Sequence, residues 1–142
     1  VYGLLQQGVP RVAISNRSKD KAEALRDLDA ARVSVVEWDE RDQLAAYGLL
    51  VNTTSLGMKG QPPLDVQLHE LPVDAAVYDI VYAPLMTDLL NAAQARGNAI
   101  VTGIGMLLHQ ARPAFEACRF MIPTRRCIRH SRPRVRRSRK WR

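Results

Sequence analysis

The stretch VAISNRSKDKAEAL, residues 12–25, decides the fold. It opens as an apolar, β-branched run, which reads as a buried strand. It then delivers Asn16, Arg17 and Ser18 at the strand tip and turns charged and helical, with Lys21 one helical turn on. Ser18 is placed to cap the helix. A buried strand that feeds a helix through a polar tip is the unit of an α/β sheet, and ligands in such sheets sit beyond the carboxyl ends of the strands.

Working outward, the same alternation continues. VYGLLQQG reads as the end of a helix with Gly8 as its stop, preceded by no capping signal, as if the chain began inside an element. RVSVVEW reads as a second strand, ERDQLAAY as a short helix and GLLVNTTS as a third strand ending in hydroxyls. After a loop, KGQPPLD, AAVYDIVY reads as a strand broken by Pro84, and LMTDLLNAAQARG as a helix stopped by Gly97. NAIVTG is the next strand, and GMLLHQARPAFEAC the closing helix, weakened in its middle by Pro113. Near-continuous apolar strands with connections too long for hairpins predict α/β architecture: a Rossmann-like parallel sheet with helices on both faces.

Composition divides the chain in two. Of the 142 residues, 1–118 carry 10 Lys/Arg and 14 Asp/Glu, while 119–142 carry 11 basic side chains and no acid. The expected domains are therefore an α/β domain over 1–118 and a basic, non-globular tail over 119–142. No run is long and apolar enough for a bilayer, and the start lacks a signal-peptide pattern. Cys118 and Cys127 suit neither a disulfide framework nor a zinc site, which points to a reducing, cytoplasmic setting. His69, His109 and His130 have no catalytic or metal-ligating arrangement.

Four strand ends carry the candidate chemistry. At the first, dinucleotide folds select NAD with an acid and NADP with a nearby Arg. Here no acid stands at the tip. Arg17 can lie on adenine or pair with a 2′-phosphate, Ser18 and the first helical amides can donate to an anion, and Lys21 adds a cation. The bland alternative is a helix cap with two solvated charges. At the second, Thr53, Thr54 and Ser55 could face a ribose, a pyrophosphate or a carboxylate, or form a simple hydroxyl turn. At the third, Asp79 lies in an apolar strand, where an unpaired carboxylate is costly, so a structural partner such as loop amides is expected. Tyr82 follows it and can point its hydroxyl into a cleft. At the fourth, Gly103 and Gly105 permit close approach to a flat ring, and Met106 and Gln110 share a helix face.

Taken together, Asn-Arg-Ser-x-x-Lys, Val-Asn-Thr-Thr-Ser-Leu-Gly-Met, Tyr-Asp-Ile-Val-Tyr-x-Pro-Leu-x-Thr and Gly-Ile-Gly-Met-Leu-x-x-Gln-Ala resemble the nucleotide-binding half of shikimate dehydrogenases over residues 1 to about 117. Glutamyl-tRNA reductases share only the strand tip. The resemblance implies NADPH-dependent reduction of 3-dehydroshikimate to shikimate, on the route to chorismate and aromatic amino acids, with a broader quinate/shikimate dehydrogenase as the close alternative. It implies that Asn16, Arg17, Ser18 and Lys21 hold the adenosine 2′-phosphate and that Thr53, Thr54 and Ser55 line the NADP groove. Ile80, Gly103 and Met106 would meet the nicotinamide end, and Tyr82 and Gln110 the small-molecule substrate.

The departures are expectations too. The family's glycine-rich phosphate loop, its first strand and the domain bearing the catalytic lysine and aspartate would precede Val1, so no catalytic residue is assigned here. The chain reads as a fragment, inactive alone, with weak NADP affinity and low stability. The tail resembles nothing in the family. A shifted reading frame, a pseudogene or an assembly error near residue 118 is the preferred account. A nucleic-acid arm with Trp141 among the arginines is the alternative.

Overall fold

The computed structural model describes residues 1–121 along the backbone and 1–112 with their side chains. The arginine-rich part of the tail beyond Met121, with Cys127, His130 and Trp141, lies outside the described residues. Residues Val1–Leu107 form one compact unit and the chain from Leu108 belongs to a second.

The first unit starts with α1 (Tyr2–Gln6). Gly8 ends it at φ 78°, where its own N–H reaches Leu5 O and that of Val9 reaches Leu4 O, the paired bonds of a Schellman stop. The strand β1 (Val12–Ser15) follows, then α2 (Lys19–Arg26) and β2 (Val33–Val36). Ser18 occupies the N-cap of α2 with extended backbone, but its hydroxyl makes no capping bond; the expected side-chain cap is missing. Asn16 has taken the local role instead, its Oδ1 accepting from the Ser18 N–H at 2.9 Å.

The expected helix over ERDQLAAY does not form. A short 3-10 turn covers Trp38–Glu40 and irregular chain follows. Its polar groups are spent on the 65–67 loop rather than on a helical ladder. Arg41 donates through Nε and Nη2 to Asp65 O (2.8 and 2.6 Å) and through Nη1 to Trp38 O (2.7 Å), with its guanidinium 4.7 Å from the Trp38 ring centre. Asp42 accepts from the Gln67 N–H. That arrangement sends Leu44 into the core.

The strands β3 (Leu49–Asn52), β4 (Ala76–Asp79) and β5 (Ala99–Val101) make the second half of the unit, with α3 (Asp88–Ala95) between the last two. Thr87 caps α3, accepting from the Leu90 N–H, and Gly97 at φ 88° repeats the Schellman stop. Finally α4 covers Ile104–Met121, continuing through Pro113 and three residues past the change in composition at 118.

All strand pairings are parallel, as expected of this α/β class, but they form two sheets rather than one. The first pairs β1 with β2, Val12 opposite Val33; the second has the order β3-β4-β5, Leu49 opposite Ala76 and Ala76 opposite Ala99. Among the described residues no strand pairs with the outer edge of β1 or of β3. α2 packs on the first sheet and α3 on β4 and β5. The core cluster is built on the second sheet: Leu44, Leu68, Leu71, Ala75, Val77, Leu89, Leu90 and Ala93.

Candidate functional site

Because every strand is parallel within its sheet, the carboxyl ends of each sheet's strands lie together. The polar residues singled out from the sequence stand at those ends. Asn16, Arg17, Ser18 and Lys21 cluster at the end of β1, and Arg17, Ser18 and Lys21 are exposed. Lys19, between them, pairs with Glu37 at the end of β2. That bond holds the Lys19 ammonium above its ordinary pKa. Arg17 and Lys21, by contrast, have no acidic partner among the described residues. The uncapped start of α2 leaves its first amides facing the same place. Two free cations, a free hydroxyl and open helical N–H groups make a place for a doubly charged anion.

At the end of β3 the hydroxyls sort by direction. Thr53 and Ser55 are exposed, whereas Thr54 turns in. Its N–H and hydroxyl both donate to Asn52 Oδ1 (2.9 and 2.8 Å), and its oxygen accepts from the Leu56 N–H (3.1 Å). Thr54 thus has no hydroxyl proton left for a ligand, while Thr53 and Ser55 do. Asn52, which sequence reasoning passed over, is the pivot. Its Nδ2 donates to Leu56 O (3.1 Å) and to Asp79 Oδ1 (3.0 Å), so both its hydrogens and its acceptor oxygen are used.

Asp79, fully buried at the end of β4, has the structural partners expected of it, supplied more by side chains than by amides. Besides Asn52 it accepts from the Val81 N–H (2.9 Å) and the Thr87 hydroxyl (2.7 Å). Thr87 was the second residue missed; its signal was a Thr directly before Asp-Leu-Leu at a helix start.

Ile80, Val81 and Gly103 come together just past the β4–β5 pairing. A Cβ on Gly103 would overlap the Ile80 carbonyl oxygen and stand 2.6 Å from Val81 O. This glycine is therefore required by the protein's own backbone. Gly105 has nothing within 4 Å of such an atom. Tyr82 is half exposed, and Met106 is partly buried on the first turn of α4. Gln110 is exposed and falls after Leu107, where the first compact unit ends. His69 and His109 are exposed.

No family model matches the chain. It is 58% identical over 117 residues to the shikimate dehydrogenase (NADP(+)) of Rhodopseudomonas palustris (strain TIE-1), a match across 82% of this chain and 42% of that protein. Among solved structures, quinate dehydrogenase from Corynebacterium glutamicum in complex with NAD superposes with a TM-score of 0.73 at 34% identity, over 81% of this chain and 43% of that one. Shikimate 5-dehydrogenase from Thermus thermophilus, in complex with NADP(H) and shikimate, gives 0.68 at 29% identity over 82% and 42%. The chain spans less than half the length of each of these relatives. No described helix is long and apolar enough to cross a membrane.

Proposed function

The chain belongs, over its matched residues, to the shikimate dehydrogenase family, and on that premise we propose that it is the cofactor-binding part of an NADP-dependent enzyme that reduces 3-dehydroshikimate to shikimate in the cytoplasm. The observation that carries the NADP assignment is the pair of cations, Arg17 and Lys21, without an acidic partner among the described residues, beside the uncapped start of α2. An adenosine 2′-phosphate placed there meets two positive charges, the Asn16 amide, the Ser18 hydroxyl and backbone donors. Adenosine lacking that phosphate meets two cations with nothing to neutralise. NADPH, when bound, supplies the hydride.

The remaining residues bind and orient. Thr53 and Ser55 present free hydroxyls to the groove, and Thr54 shapes the turn that aims them. Ile80, Gly103 and Met106 form the apolar end suited to a nicotinamide ring. Tyr82 offers its hydroxyl to the substrate. This chain's part is binding, with proton transfer assigned to none of its residues. The basic composition of residues 119–142 is given no role in the proposed chemistry.

The test uses two fragments of the cofactor, 2′,5′-ADP and 5′-ADP, titrated calorimetrically into the 142-residue chain. We expect 2′,5′-ADP to bind about tenfold or more tightly, the factor carried by one charge-assisted hydrogen bond of about 1.5 kcal/mol. Arg17→Ala and Lys21→Ala should each erase most of that preference. Equal affinity for the two probes sinks the NADP reading. A preference for 5′-ADP favours the second reading, a quinate dehydrogenase using NAD, which the likeness to the Corynebacterium glutamicum enzyme supports.

A further inference from the structure

Asp79 is wholly buried in an apolar strand, yet it is not one of the residues that face the groove. A buried carboxylate is tolerated only where donors surround it. Its three donors come from three different segments: Asn52 at the end of β3, Val81 on the exit from β4, and Thr87 at the start of α3. Asn52 extends the connection to Thr54 and to Leu56, and Thr87 to the Leu90 N–H. The Thr87 side chain also lies against Gly57, at 3.6 Å from where a Cβ would stand.

The groups tied to this carboxylate alternate with the groups that face outward. Thr54 is held inward, and its neighbours Thr53 and Ser55 are exposed. Val81 is buried, its N–H on Asp79, while its neighbour Tyr82 is half exposed and its neighbour Ile80 partly so. Fixing the inward member of each triplet fixes the direction of its two neighbours. We propose that Asp79 is a positioning residue, whose carboxylate locks the 53–57 turn and the 80–82 strand exit into one rigid edge and so aims both sets of cofactor and substrate contacts. This rests on the reading of those contacts given above.

The experiment compares Asp79→Asn and Thr87→Val with Asn98→Ala. Asn98 is also a buried clamp, donating to the carbonyls of Pro72, Val73 and Ala75 at the opposite end of the strands, so it reports loss of stability without loss of the edge. Two quantities are read on the 142-residue chain: amide hydrogen exchange at Thr54, Leu56 and Val81 relative to Val77, and the Kd for NADP+. In Asp79→Asn the three amides should exchange about tenfold faster relative to Val77 and NADP+ should bind about tenfold more weakly, as expected for one charged hydrogen bond lost. Asn98→Ala should move neither ratio at an equal drop in unfolding midpoint. If Asp79→Asn fails to fold, Thr87→Val, which removes one donor of three, should show the same pattern with smaller size. Unchanged relative exchange, or an equal loss of NADP+ affinity in Asn98→Ala, overturns the positioning role. Wild-type chain with no preference for 2′,5′-ADP over 5′-ADP overturns the cofactor reading itself, and is told apart by the exchange data, which do not depend on it.

Discussion

Gly103 and Gly105 share a motif and read alike in the sequence, as two places where a flat ring could approach the backbone. The structure separates them. At Gly103 a methyl group would run into the backbone carbonyls of Ile80 and Val81, which cannot rotate out of the way. Gly103→Ala should therefore force β4 and β5 apart at their ends and destabilise the chain by about 1–3 kcal/mol, the range for overpacking. Gly105 sits in the first turn of α4 with open space around it, so Gly105→Ala should be neutral or stabilising by up to about 1 kcal/mol, because alanine loses less entropy in a helix. Urea unfolding of the two variants decides the matter. Similar losses in both would mean that the contact between Gly103 and the β4 exit is not a constraint.

Elements were legible where their signal is local. Gly8 and Gly97 mark helix ends in the sequence and end helices in the structure with the same pair of bonds. ERDQLAAY misled because its helical pattern competes with Arg41, whose partner Asp65 lies far along the chain. Asn52 went unread for the same reason, its partner Asp79 being 27 residues away. One long-range link governs α1. Arg32 donates to Leu5 O at 3.2 Å and is itself held by Asp29, at 2.7 Å from both Nε and Nη2. The Arg32 bonds hold the Asp29 carboxyl below its ordinary pKa of 3.8. A carboxylate with a lowered folded pKa stabilises above the unfolded value and loses that contribution as pH falls through the folded one. Acid titration of stability should show a small loss below pH 3.8 that Asp29→Asn abolishes. Lys19 works in the opposite sense. Its bond to Glu37 stabilises below pH 10.5 and is lost as pH rises through the raised folded value. Lys19 is exposed and Asp29 still reaches solvent, so both effects should be slight. An acid limb identical in wild type and Asp29→Asn would mean that Arg32 holds α1 without help from that carboxylate.

At the scale of the first compact unit, burial is unequal. The β3–β4–β5 sheet carries the core, with Val77, Leu71 and Leu90 almost wholly enclosed. Residues 1–40, which hold β1, α2 and β2, contribute Leu5, Ala22 and Val33 as their buried apolar side chains, and no residue of β1 is fully buried. The sequence showed strands of equal apolar character in both halves. It could not show this inequality, because burial depends on which edges find partners, and the outer edges of β1 and β3 find none among the described residues. Stability should follow burial, with the half that carries Arg17 and Lys21 opening first. Native-state hydrogen exchange should give opening free energies for the β1 and β2 amides at least about 2 kcal/mol below those of β4, roughly one buried aliphatic side chain. Uniform protection across both sheets would refute the inequality. The same measurement tests how binding and folding are linked. A ligand at the β1 end stabilises only states in which that end is formed, by about 2.7 kcal/mol at a hundredfold excess over Kd. Saturating 2′,5′-ADP should therefore slow exchange in β1 and at the start of α2 and leave the β4 amides behind. Protection gained first in β4 would place the anion on the other sheet and remove Arg17 and Lys21 from the site.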